Sequence, residues 1–129
     1  MHPFRAALET TDMDAAVALL ADDVVFRSPV VFKAFEGREA VAPILRAVGQ
    51  VLEDVVFVRD IVSEDGVDHS LLFHAHVGDK KIEGSNFFHV DESGAVSELV
   101  VMVRPFTATL ALREAMIAQF AAAGINIPA

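Results

Sequence analysis

Apolar residues recur at helical spacing over the first part of the chain and at a spacing of two over most of the rest, and that change of period sets out its elements. A first short helix is predicted to start at Pro3, whose fixed φ suits a first helical position. Thr11 or Asp12 caps a second helix, with Met13, Val17 and Leu20 on one face and Asp14 near the positive end. Asp22-Asp23 reads as the end of that helix, and Val24 to Ser28 as a strand stopped by Pro29. After a loop to Gly37, Val41, Ile44, Leu45, Val48 and Leu52 form the stripe of a third helix, with Pro43 near its first turns.

Beyond that helix, Val55 to Val62, His69 to Val77, Lys80 to Val90 and Val96 to Arg104 read as four strands rich in β-branched residues and Phe. Glu64-Asp65-Gly66, Gly78-Asp79 and Asp91-Glu92-Ser93-Gly94 mark the turns between them. Pro105 stops the last strand, Thr107 is the expected cap of a final helix, and Leu110, Met116, Ile117 and Phe120 are its expected buried stripe, with Gly124 as the stop. Consecutive strands joined by tight turns are antiparallel. The expected fold is α+β, a curved antiparallel sheet with helices packed on one face, in one domain over residues 1–129.

The turn at Gly78-Asp79 suits a type II′ hairpin. That register sets Val77 across from Lys80, Ala75 from Ile82, Phe73 from Gly84, Leu71 from Asn86 and His69 from Phe88. One face is then mostly apolar, with Asn86 as its internal polar member. The other mixes Ser70, Leu72, His74, His76, Lys81, Glu83, Ser85 and Phe87. A slip by one residue would exchange the two sets. Leu72 and Phe87 among polar neighbours suit a subunit interface on the outer face, joined by Val100 and Met102 if Val101 and Val103 point inward.

Composition narrows the function classes. The chain has 129 residues, 19 acids against 10 Lys plus Arg, and a net charge of -9, so a broad basic surface for nucleic acid or anionic membrane is not expected. No stretch approaches the roughly 20 apolar residues of a membrane span. The N-terminus has no basic start before a long apolar run, so a cytoplasmic protein without a signal peptide is expected. With no cysteine there is no disulfide, thiolate metal site or cysteine nucleophile, and with no tyrosine there is no phenolic donor.

Two strings carry a resemblance. DMDAAVALLADDVVFRSPVVFKAFEGREAV (Asp12–Val41) and GSNFFHVDESGAVSELVVMVRP (Gly84–Pro105) resemble the opening and the closing hairpin of the SnoaL-like branch of the nuclear transport factor 2-like superfamily. That superfamily also contains ketosteroid isomerase and polyketide cyclases. The resemblance implies a cone-shaped, cystatin-like fold with a deep apolar pocket between helices and sheet, and dimers packed through the outer sheet faces. Carried over by position, the isomerase's general base falls at Ser28, its phenolic donor at Phe4, and its second, acidic donor at Asn86. A serine hydroxyl is too weak a base to take a carbon-bound proton unaided, and a phenyl has no proton to give. The Asn86 amide still donates.

Phe4, Phe26, Ser28, Phe57, Phe73, Asn86, Phe88, Val101 and Val103 are therefore the expected lining of a pocket for a small, largely apolar ligand, with no metal and no cofactor. The alternatives are an isomerase- or cyclase-like enzyme with a relocated base and a non-catalytic dimerisation module. His69, across from Phe88 and diagonal to Asn86, is the candidate base, and the competing reading is a strand-end histidine in solvent. His74 and His76 have a chelating spacing, but their cross-strand neighbours Glu83 and Lys81 favour a surface network. Arg27 and Arg104 have the parity of the outer face, where ion pairs are the expected role.

Overall fold

The computed structural model describes residues 2–124. Helix α1 (Pro3–Glu9) begins where the His2 ring accepts the Phe4 N–H, and α2 (Met13–Ala18) where the Asp12 carboxylate accepts the Ala15 N–H. The second cap is thus Asp12 and not Thr11, whose φ of 55° makes the turn between the two helices.

Strand β1 (Leu20–Arg27) starts earlier than its sequence suggests. Asp22 and Asp23 do not end a helix. They lie exposed inside β1, where its pairing shifts between Leu20 and Val25. That irregularity interrupts the alternation of inward and outward residues that would have revealed the strand. Arg38 bonds the Leu20 carbonyl and lies 3.2 Å from Asp22, which fixes the start of the third helix against β1. A two-residue strand β2 (Phe35–Glu36), unforeseen in the sequence, pairs antiparallel with β1. Helix α3 (Arg38–Val51) follows Gly37, which has a φ of 92°, and carries Pro43 within it.

Strands β3 (Glu53–Val62), β4 (Asp68–Val77), β5 (Lys80–Val90) and β6 (Val96–Arg104) form a meander. The six-stranded curved sheet has the order β2-β1-β6-β5-β4-β3. Its one parallel pair joins β1 to β6, across the longest separation in sequence. The β4–β5 register has all five expected pairs, from Val77–Lys80 to His69–Phe88. Gly78 has a φ of 57° and Asp79 is not left-handed, the combination of a type II′ turn.

Helix α4 (Phe106–Ala122) begins at Pro105 with no side-chain cap, so Thr107 does not cap it. Its buried residues are Ala108, Leu112, Met116 and Phe120, while Leu110 and Ile117 are exposed. The helix is apolar on more than one side, so its period alone could not choose the buried stripe. The core lies between the helices and the concave sheet face, around Phe4, Leu20, Val24, Val41, Leu71, Ile82, Val96 and Leu99. Among the described residues no helix is long and apolar enough to cross a membrane.

Candidate binding cavity

Between the concave sheet face and helices α1, α3 and α4 lies a cavity of about 90 Å³. The sheet supplies Phe26, Phe57, Phe73, Asn86, Leu99, Val101 and Val103, and Ser28 to Val31 close one side. The helices supply Leu8, Ile44, Leu45, Val48, Leu112, Met116 and Phe120. Seven of the nine expected lining residues stand on this wall: Phe26, Ser28, Phe57, Phe73, Asn86, Val101 and Val103.

Phe4 and Phe88 do not. Their rings pack edge to face at 5.1 Å, beneath α1 and off the cavity wall. The helix residues of the wall were visible in the sequence only as an amphipathic stripe. Burial against a core and burial against a cavity leave the same periodic signal.

Two polar side chains sit on the sheet side of the wall. Asn86 pairs with Val101 on β6, and the β1–β6 register carried one step past Arg27–Val100 brings Ser28 beside the same Val101. Ser28 and Asn86 thus flank Val101 in one row across three strands, with Cα atoms roughly 10 Å apart. The Ser28 hydroxyl oxygen accepts the Val30 N–H at 3.1 Å, which ties the loop to the wall and leaves the hydroxyl proton free to donate. No side-chain hydrogen bond of Asn86 occurs among the described residues, so its amide keeps both donor and acceptor capacity. Among the described residues of the wall none is Asp, Glu, His, Lys or Arg.

His69 is placed elsewhere. It is neither at the cavity mouth nor in solvent, but buried at the start of β4 with its ring stacked on Phe88 at 4.3 Å. Its Nε2 lies 3.1 Å from the Gly66 carbonyl, which can only accept, so that nitrogen carries a proton. Its Nδ1 lies 3.8 Å from Asp60 Oδ1, and Asp60 in turn pairs with Arg5 at 3.2 Å. These contacts join α1, β3 and β4, and none of the three residues is on the cavity wall.

The outer-face histidines join surface networks. His74 meets Glu83 at 3.1 Å, and Glu83 also pairs with Arg104. His76 bonds Asp54 at 2.7 Å, although Lys81 is its strand partner. This bond, then the one to the Gly78 carbonyl, raises the His76 pKa above its ordinary 6.5, and a bond to Asp68 does the same for His89. Arg27 pairs with Glu98 at 3.4 Å.

A six-stranded curved sheet folded around helices, with an apolar cavity in its concavity, places the protein in the cystatin-like, nuclear transport factor 2-like class of folds. Over residues 2–99 the chain matches the SnoaL-like domain, and it belongs to that family. A steroid delta-isomerase from Pseudomonas aeruginosa is 33% identical, with a TM-score of 0.88 over 93% of this chain and 88% of that one. An uncharacterised protein with a cystatin-like fold from Silicibacter pomeroyi is 34% identical, with a TM-score of 0.86 over 94% and 87%. A nuclear transport factor 2-like protein of unknown function from Cytophaga hutchinsonii, 23% identical with a TM-score of 0.61 over 79% and 84%, shares the fold. No curated protein matches the chain.

Proposed function

We propose that this protein binds a small, largely apolar molecule with one hydrogen-bond-accepting group, and that the cavity wall supplies no acid or base to it. The observation that carries this reading is the wall's chemistry: apolar side chains, no ionisable residue, and the unpartnered amide of Asn86 in a row with Ser28. Apolar walls with a few placed polar groups are how proteins hold small ligands. An isomerase or polyketide cyclase reaction needs proton transfer. The groups on this wall offer hydrogen bonds but no carboxylate or imidazole to move the proton.

Size sharpens the ligand. A dry cavity of about 150 Å³ holds benzene, and pockets for drug-sized ligands run from about 300 Å³. At about 90 Å³ the cavity is smaller than that benzene-holding void, so a ligand of one small ring or a short branched chain enters only if the wall gives slightly, and a four-ring steroid would require the helices to move well apart. Cyclohexanone is a suitable probe, titrated by NMR into the wild type and Asn86→Leu. One neutral hydrogen bond contributes about 0.5–1.5 kcal/mol, so the variant should bind about three- to tenfold more weakly. Equal affinity for both proteins would remove Asn86 from the site. No binding to the wild type at millimolar concentration would refute the ligand class.

The outer sheet face supports a homodimer. Met102 and Phe87 are 59% and 40% exposed, and Phe87 pairs with Val100. Charged Met102→Lys should weaken the dimer in sedimentation equilibrium, and a wild type that stays monomeric throughout would overturn the assembly.

A further inference from the structure

Where helix α1 meets the sheet, one buried oxygen lacks a partner. Asp60 Oδ2 accepts Arg5 Nη1 from α1 at 3.2 Å, but Asp60 Oδ1 is buried with no hydrogen-bond donor among the described residues. Nδ1 of His69 faces it at 3.8 Å, too far for a hydrogen bond. The two side chains are 14% and 7% exposed. Native proteins leave few buried polar atoms unpaired, and each one calls for a physical reason.

The imidazole supplies that reason. His69 Nε2 donates to the Gly66 carbonyl at 3.1 Å, so in the neutral ring Nδ1 is a bare lone pair. Two acceptors then face each other and stay apart. A proton taken up at Nδ1 turns the same two atoms into a charge-assisted pair after an approach of about 1 Å. The surroundings leave Asp60 as its partner. Val62 and Phe88, opposite His69 on β3 and β5, are apolar. From α1 the site meets Arg5, bonded to both Glu9 and Asp60, and His2, whose ring lies 6.0 Å from the His69 ring. Asp68 and His89 pair with each other on the opposite sheet face.

We propose that Asp60 and His69 form a proton-operated latch on helix α1, closed by a proton at His69 Nδ1 and loosened by its loss. Helix α1 has seven residues, too few to be stable alone, so its ties to the sheet set how often it lifts. Those ties are Phe4 against Phe88, His2 Nε2 on the Gly94 carbonyl, and Arg5 on Asp60. His2 acts with the opposite sign: its Nδ1 accepts the Phe4 N–H, so a proton there removes the cap. Leu8 carries the latch's effect to the cavity wall, where a looser α1 lets the wall give more readily. That last consequence rests on the ligand-binding reading above, whereas the latch itself does not.

Amide hydrogen exchange in the ligand-free full chain tests the latch, with protection factors of Ala7 and Leu8 divided by those of β5 to cancel global unfolding. Between about pH 8.5 and pH 5.5 the wild-type ratio should rise about tenfold relative to that of His69→Gln, which keeps His2. Asp60→Asn should leave the ratio low and flat. Nitrogen NMR of the wild-type imidazole should show the proton on Nε2 at high pH and a second one arriving at Nδ1 over the same range, a readout that needs no variant. A wild-type ratio that changes no more than that of H69Q overturns the latch. So does a D60N ratio that still rises like the wild type's, or a neutral His69 ring with its proton on Nδ1.

Discussion

Replacing Gly84 by alanine should destabilise the fold more than any other single-methyl addition to the sheet's inner face. Gly84 stands between Phe73 on β4 and Val103 on β6. A Cβ there would lie 2.1 Å from the Met102 carbonyl oxygen, 2.9 Å from Val103 Cγ1 and 3.0 Å from Val103 Cα. The nearest atom is backbone, so no rotamer change relieves the contact. Carbon and oxygen ordinarily approach to about 3.3 Å, so β5 and β6 must part by roughly 1 Å where paired strands sit about 4.8 Å apart. Overpacking of that kind costs about 1–3 kcal/mol, and each ladder bond stretched beyond its range about 1 more. The expected loss is about 3–5 kcal/mol, a large share of the 5–15 kcal/mol typical of a whole domain. Urea unfolding reads it directly: with a slope near 2 kcal/mol per molar, the midpoint should fall by about 1.5–2.5 M. Val103 is on the cavity wall, so the folded fraction should also bind cyclohexanone more weakly. A variant within about 0.5 kcal/mol of the wild type would refute the claim that the close approach of the Met102 carbonyl leaves no room for a side chain at Gly84.

Three further outcomes follow. Phe4→Ala removes a fully buried ring packed edge to face on Phe88, and urea unfolding should register a loss of about 3–5 kcal/mol with little change in cyclohexanone affinity. His76 has a folded pKa raised above 6.5 by Asp54, so its contribution to stability is complete below 6.5 and is lost as pH rises through the folded value. Unfolding of Asp54→Asn between about pH 5.5 and pH 9 should therefore show a shallower decline than the wild type, and Asp68→Asn should do the same through His89. Asp65 and Asp91 carry the opposite sign. Their pKa values lie below 3.8, chiefly through hydrogen bonds from Ser63 and Ser93, so the stability they add is present above 3.8 and is lost as pH falls. Ser63→Ala and Ser93→Ala should each flatten the acid limb of the same profile.

How much of this was legible in the chain depended on whether one rule or two competed at a residue. The β4–β5 hairpin could be read pair by pair because its turn chemistry and its alternation agree. At Asp22-Asp23 they disagree: charged residues and a pairing irregularity hide a strand that continues through them. In α4 the period does not single out the buried side: Met116 and Phe120 are buried as expected, but Leu110 and Ile117, equally apolar, are exposed. Among the expected lining residues, inward parity had singled out Phe73, Asn86, Val101 and Val103, and these line the cavity. Parity could not tell that α1 would lay Phe4 over Phe88 and seal that end of the sheet. His69 was hidden for a related reason. Its partners Asp60 and Arg5 come from β3 and α1, and no local pattern links them.

The parallel pairing of β1 with β6 bears on how the protein comes into being. During synthesis the N-terminal helices and β1 leave the ribosome long before the strand that must lie beside β1. The meander from β3 to β6 can zip up through neighbouring turns, whereas β1 waits for a partner about 75 residues downstream. Ser28 follows β1 and Asn86 lies on β5, on opposite sides of β6. Their row across Val101 cannot exist until that strand has been made and has slid between them. A nascent chain thus carries α1, α2 and α3 before it has a cavity, whose last wall, α4, follows β6 in the chain, and every release or stall short of residue 96 yields a protein without that cavity.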